Sequence, residues 1–427
     1  MWKYHCKTHF LIVSIAFVLG IALMAVTYDT SMALYGELVT EIAKDYPDLQ
    51  AFGFFEFLKN NAILLYISSG LSIAGIANAC FLIPYVMRNF KFGPFLLLAC
   101  LFLAPTAIIT AGVLLVVPSL VVSLIGWILL NSDIKKQLRD AGFESEKAIF
   151  EYYKSKYSLD ESIKDMAQKC KKNIYIMDAV YLLGIVAIIT IMTFVTNMIV
   201  LVVAFFFYSF AFSLLMRYRA ACTIPITSIL YNECDPGKCI SAIYYFSTYP
   251  FGFRLSNHTL MAWALIYMND PKLAKAVLIP YQRKDAASLL SYLSLMAYIH
   301  YLQKDEEALN EVAKEVEKVH LSYGKTGVFI QNEEVNAIQN KVKLMNGELN
   351  VCKKYYLQTL QKAKFPYQQV DACYYIALIS FVEQDYVIAK MYFDKVVKMG
   401  NKICYVDKAK YYLSKIEALN LQKEEAE

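Results

Sequence analysis

Between Phe95 and Leu130 the chain runs for 36 residues without one charged side chain. A hydrocarbon layer about 30 Å thick is crossed by about 20 helical residues. The stretch is therefore too long for one tilted span, and it is too apolar for a water-facing domain. Gly112 and Pro118 offer a turn, so the stretch reads as two spans joined by a tight hairpin. Further apolar runs lie at Phe10–Val26, Ala62–Met87 and Tyr175–Leu215, the last broken near its middle by Thr196-Asn197. Six spans are expected, near 10–27, 62–87, 95–111, 113–130, 175–194 and 198–216. Lys3 and Lys7 before a short apolar run also suit a cleaved signal. No small-x-small site follows that run directly, so the first span is expected to stay.

Charge sets the expected topology, because cytoplasmic loops collect Lys and Arg near span ends. Residues 28–61 carry Asp29, Glu37, Glu41, Asp45, Asp48 and Glu56 against Lys44 and Lys59, which suits the outside. Lys3 and Lys7, Arg88 and Lys91, Lys135, Lys136 and Arg139, Lys169, Lys171 and Lys172, and Arg217 and Arg219 all fall on one side with six spans. Both termini are then cytoplasmic. Residues 131–173 form a cytoplasmic segment of two short helices, with Ser158 to Glu161 as a capping box. Span interiors hold Asn78, Ser, Thr and Gly but no carboxylate, which speaks against an ion-coupled pump. Asn78 reads as a helix-to-helix hydrogen bond.

After Arg219 the pattern changes to helix-period apolar residues with start signals at Asp235-Pro236 and Asp270-Pro271. The class is all-α: a polytopic membrane domain over 1–219 and a soluble helical domain over 220–427. In residues 372–397, ACYYIALISFVEQDYVIAKMYFDKVV, Ala377 sits on one helix, Glu383-Gln384-Asp385 turns, and Ala389 and Phe393 pack back. Weaker copies place turns at Asn269-Asp270-Pro271, Gln303-Lys304-Asp305 and Gly347, with Ala274, Ala308 and Cys352 at the matching small position. This pattern resembles the tetratricopeptide repeat, from about Tyr231 to Leu419. Met296 and Asn340 depart from it, standing where the family has a small residue. The resemblance implies stacked helical hairpins and a groove lined by the first helix of each pair. Carried onto this register, the groove positions are Trp263, His300, Lys341, Tyr374 and Phe381. Trp263 and Phe381 at helical spacing are more often core than contact.

Reaction chemistry finds no foothold in the sequence. HExxH, a P-loop, GxGxxG and GxSxG are all absent, and Gly324-Lys-Thr-Gly327 lacks phosphate-loop spacing. Cys234 and Cys239 in CDPGKC have no second pair to complete a metal site, and His5, Cys6 and His9 crowd one helical turn. The cysteines are expected reduced. No catalysis, cofactor or metal is expected. A net charge of +5 with no basic patch speaks against nucleic acid. The expected partners are the bilayer and a protein docking on the repeats. The chain then reads as a membrane-anchored scaffold or adaptor at the cytoplasmic face. The alternative is a non-ion-coupled transporter or export-complex accessory subunit, favoured if polar residues share a face of several spans.

Overall fold

A computed structural model describes residues 2–45, 57, 59–89, 113–194, 198–249, 252–321 and 324–424. Its architecture is helical. The exception among the described residues is one antiparallel pair of two-residue strands, β1 (Thr248–Tyr249) and β2 (Gly252–Phe253).

Among the described residues, four helices are long and apolar enough to cross a membrane: Cys6–Ile42, Ala62–Leu82, Val116–Asp140 and Ile199–Ala221. The sequence reading expects six. One of the two others, 95–111, lies outside the described residues. The other, 175–194, is the second half of a longer helix that begins at Lys164 with four charges in its first eight residues. The apolar window of Ile199–Ala221 buries none of its residues within the protein. The exposed rings of Phe205, Phe206 and Phe207, which point to different sides of the helix, therefore require an apolar surrounding, which a bilayer provides.

The contacts divide the chain into two compact units. The first comprises 1–136 with 282–290 and 319–332, and the second comprises 137–281, 291–318 and 333–427. In the first unit, α1 (Cys6–Asp45) is one continuous helix of 40 residues, about 60 Å long. The expected loop from residue 28 thus begins as five further turns of helix, because nothing between Thr27 and Asp45 breaks one. Helix α1 packs against α2 (Ala62–Asn89) through Gly20 and Gly70. A Cβ on Gly20 would lie 2.6 Å from the Ser69 carbonyl, so the two backbones meet where only glycine fits. The Ser69 hydroxyl donates to the Gly20 carbonyl at 2.9 Å across that contact.

Helix α3 (Val116–Asp140) holds Pro118 in its first turn, where a missing N–H costs nothing. Pro118 therefore starts a helix rather than making the expected turn. Helix α3 also continues ten residues past its apolar part, until Gly142 at φ +86° ends it. Residues 131–173 consequently contain one separate helix, α4 (Glu146–Lys156), capped by Ser145. The cap farther on is Asp160, which accepts from the Ser162 amide, and not Ser158. Helices α5 (Lys164–Phe194) and α6 (Met198–Ala221) pack as a pair. Arg219 binds Asp178 with two nitrogens, at 2.6 and 3.4 Å.

The helices after Ala221 form hairpins with a shared turn. They join α7 (Ile224–Tyr231) to α8 (Pro236–Ser247), α9 (His258–Tyr267) to α10 (Pro271–Leu278), and α11 (Ala286–Gln303) to α12 (Glu306–Val316). They also join α13 (Gly324–Met345) to α14 (Leu349–Lys362), and α15 (Pro366–Val382) to α16 (Tyr386–Met399). Each turn has one residue in the left-handed region: Cys234, Asn269, Lys304, Gly347 and Gln384. In four of them the next residue donates its amide to a carbonyl five positions back, at 2.9–3.0 Å (Asp270 to Leu265, Asp305 to His300, Glu348 to Lys343, Asp385 to Ser380). This is the closure of a Schellman turn. In four of the five turns an Asp then caps the second helix: Asp235, Asp270, Asp305 and Asp385. Helix α17 (Tyr405–Glu424) follows and packs on α16. The segment before α17 bonds back to the earliest turns. The Lys402 amide donates to the Cys234 carbonyl at 3.2 Å, and the Cys404 amide to that of Tyr267 at 2.8 Å.

Candidate functional site

Lys341 and Trp263, two of the five residues expected to line a groove, meet at one cavity of about 190 Å³ in the second unit. One water needs about 10–15 Å³ of such space, so the cavity is large enough for a small ligand. Five helices supply the walls by ordinary helical spacing. Helix α13 brings Glu334, Ala337, Ile338 and Lys341 to one face at steps of three and four. Helix α11 adds Ser294, Ala297 and Tyr298, while α9 adds Trp263 and Tyr267. Helix α14 adds Tyr355, Tyr356 and Thr359, and α15 adds Tyr367, Gln368 and Asp371. Ala297 and Ala337 keep the space open. The protein has 33 tyrosines, and this is where many of them converge.

Lys341 is only 6% exposed. Its ammonium lies 3.8 Å from the centroids of both the Tyr298 and Tyr375 rings and donates to the Tyr356 hydroxyl at 3.0 Å. Ring faces attract a cation, so the two tyrosines hold the charge where water does not reach. Burial still lowers the lysine pKa to about 8, with Asp371 pulling the other way. The Tyr298 hydroxyl donates to Asp371 and lies 3.0 Å from the Tyr405 hydroxyl, which is 3.4 Å from that of Tyr375. Burial pushes the Tyr298, Tyr356, Tyr375 and Tyr405 hydroxyls well above their ordinary range, so they remain neutral donors. On the opposite stretch of α13, Glu334 accepts from the Ser294 hydroxyl. Burial raises its carboxyl pKa, and that hydrogen bond partly offsets the shift.

Among the described residues, none of Lys341, Glu334 and Asp371 takes part in an ion pair. Buried charges are ordinarily paired. Here a buried lysine and two half-buried carboxylates line one cavity with hydroxyl partners and no counter-ion, which makes it the candidate site.

The other three expected groove residues lie apart from the cavity. His300 is buried, its Nδ1 3.3 Å from the Asp305 carboxylate in the adjoining turn. Tyr374 stacks on Tyr405 with ring centroids 4.1 Å apart. Phe381 is half-buried among Tyr386 and Tyr412. Glu334, Asp371 and the tyrosine hydroxyls escape sequence reasoning, although one signal was present: Asp371 is the single charged residue of α15.

In the first unit a second polar cluster joins three helices. His9 is fully buried, with Nε2 2.8 Å from Asn78 Oδ1 and Nδ1 2.8 Å from Ser123 Oγ. Asn78 thus makes the expected interhelical bond, and its partner is His9. Cys234 and Cys239 are both fully buried, and burial raises both thiol pKa values, Cys234 to about 11. All nine described cysteines are free thiols, and no group of three or more metal-ligating side chains occurs among the described residues. Comparison with protein-family models, with curated proteins and with solved structures finds no match for this chain.

Proposed function

We propose that this chain is a membrane-anchored helical-repeat scaffold, in which apolar helices hold a stack of helical hairpins at the inner membrane face and the Lys341 cavity recognises a partner. The observation that carries the reading is the trio Lys341, Glu334 and Asp371, which share one aromatic cavity and lack ion-pair partners. Aromatic rings and unpaired charges at the floor of a recess are what recognition sites use, since they give contact area with little entropy to lose. The repeated left-handed turns, four of them followed by a capping Asp, support the tetratricopeptide-like reading. Stacked hairpins of that kind need only their neighbours to present a continuous surface. The one-sided distribution of Lys and Arg supports cytoplasmic termini.

The transporter-subunit alternative draws support from His9, Asn78 and Ser123, polar residues that do meet on facing helices. They bond to one another and are fully buried, which favours a packing role over a path.

The test is affinity capture from membranes with the full chain as bait, comparing wild type with Glu334→Gln and Asp371→Asn. A partner retained by wild type and lost from both variants, with melting unchanged, supports the reading. Equal capture by all three overturns it.

A further inference from the structure

We infer that the Lys341 cavity binds an organic ammonium group, and that Glu334 and Asp371 are its counter-charges. The inference deepens the recognition reading above by naming the chemistry recognised. Three observations carry it.

First, the cavity wall already holds one ammonium between ring faces, that of Lys341 itself at 3.8 Å from Tyr298 and Tyr375. The remaining rings, including Trp263, offer the same electron-rich faces to a second cation. Second, Glu334 and Asp371 are each held by a single hydroxyl donor, from Ser294 and Tyr298. A carboxylate accepts about four hydrogen bonds, so each keeps free acceptor positions for N–H donors. Third, two carboxylates against one lysine give the site a formal charge of −1, which repels an anion and attracts a cation.

Geometry narrows the class further. Glu334 and Asp371 both line the cavity, held by Ser294 and Tyr298 one turn apart on α11. Two carboxylates around one small cavity suit a short aliphatic diamine spanning both, or one primary ammonium at either. The cavity of about 190 Å³ has room for such a group. The ammonium could belong to a free amine or to a lysine side chain of the partner chain, and the experiment separates these sources.

Isothermal titration of the full detergent-solubilised chain with putrescine, Nα-acetyl-lysine amide and succinate provides the test. Saturable binding of at least one amine is expected, with affinity falling at least tenfold in Glu334→Gln and in Asp371→Asn. Lys341→Met removes a competing positive charge and should bind the amine as tightly as wild type or tighter. Putrescine binding without the lysine amide identifies a free amine, and the reverse identifies a lysine side chain; both support the inference. Circular dichroism and melting of each variant control for folding, and two separate carboxylate variants guard against the loss of one. Absence of amine binding, binding untouched by either carboxylate variant, or preferential binding of succinate overturns the assignment. If amines fail while Asp371→Asn still loses a captured partner, the ammonium class is wrong and the recognition reading stands.

Discussion

The Lys341 ammonium donates to the Tyr356 hydroxyl at 3.0 Å, and Tyr356 in turn stacks on Tyr375 at 4.7 Å. A buried lysine is therefore held by rings and a hydroxyl where a carboxylate would ordinarily stand. Such an arrangement costs stability while the lysine is charged. The unfolded chain holds its lysine proton up to pH about 10.5, the folded chain up to about 8. Between those values the unfolded state binds more protons at Lys341, so the lysine's own contribution to stability should rise with pH from about 8 toward 10. The thiols of Cys234, Cys239, Cys373 and Cys404 and the buried tyrosines act oppositely, because burial raises their pKa values and they ionise first in the unfolded chain. These groups are common to wild type and Lys341→Met, so denaturant titrations of both at pH 7, 8, 9 and 9.5 should show the stability difference shift in favour of wild type as pH rises. A difference that stays constant with pH would show that Lys341 is not buried as described.

The same lysine should be costly at neutral pH. Its shift corresponds to about 3 kcal/mol between protonation states, partly returned by the ring contacts that Met would forfeit. Lys341→Met is expected to raise stability at pH 7 by about 1–2 kcal/mol. Urea midpoints of the two proteins compare directly. A loss of stability in the variant would mean that the cation is structural.

Asp270 does more than cap its helix. One oxygen accepts from the Leu273 amide at 3.2 Å, while the other takes the Lys156 ammonium at 2.6 Å and the Tyr157 hydroxyl at 3.1 Å. Asp305 caps the equivalent helix at the Ala308 amide and has only His300 nearby. Asp270→Ala should cost about 2 kcal/mol or more, and Asp305→Ala about 1 kcal/mol. Equal losses in melting experiments would mean that the links to α4 contribute nothing.

In the apolar helices, replacing His9 strands Ser123 and removes one bond from Asn78. His9→Leu is expected to destabilise the fold by about 1–2 kcal/mol, the range of interhelical hydrogen bonds in membranes. The triple change with Asn78→Leu and Ser123→Ala should cost less than the sum of the single ones, because the three act as a unit. Additive losses in detergent unfolding would dissolve the network.

Glycine spacing gives a sharper contrast. Gly20→Ala forces a Cβ to 2.6 Å from a backbone carbonyl on α2, whereas at Gly184 the nearest atom is a tyrosine ring carbon at 3.4 Å. The first change should cost about 1–3 kcal/mol and the second should be tolerated. Thermal aggregation of the two variants in detergent is a sufficient measure.

The sequence by itself determined which segments avoid water and where hairpins turn. Both are local matters. A run such as Ile199–Ala221 cannot be solvated in any arrangement, and Asn269-Asp270-Pro271 carries its own left-handed residue, cap and first helical position. Boundaries were legible only where a breaker stood. Without one, α1 runs on to Asp45 and α3 to Asp140. Tertiary structure alone decided which side chains share a space. Glu334, Tyr298, Tyr356 and Asp371 are scattered over more than seventy positions, and any helix pattern fits each of them to a surface or a core. Only the packing of α9, α11, α13, α14 and α15 brings them around Lys341. The burial of Lys341 there, a property of the assembled helices and of no segment, is what makes an ordinary lysine and two ordinary acids a candidate site.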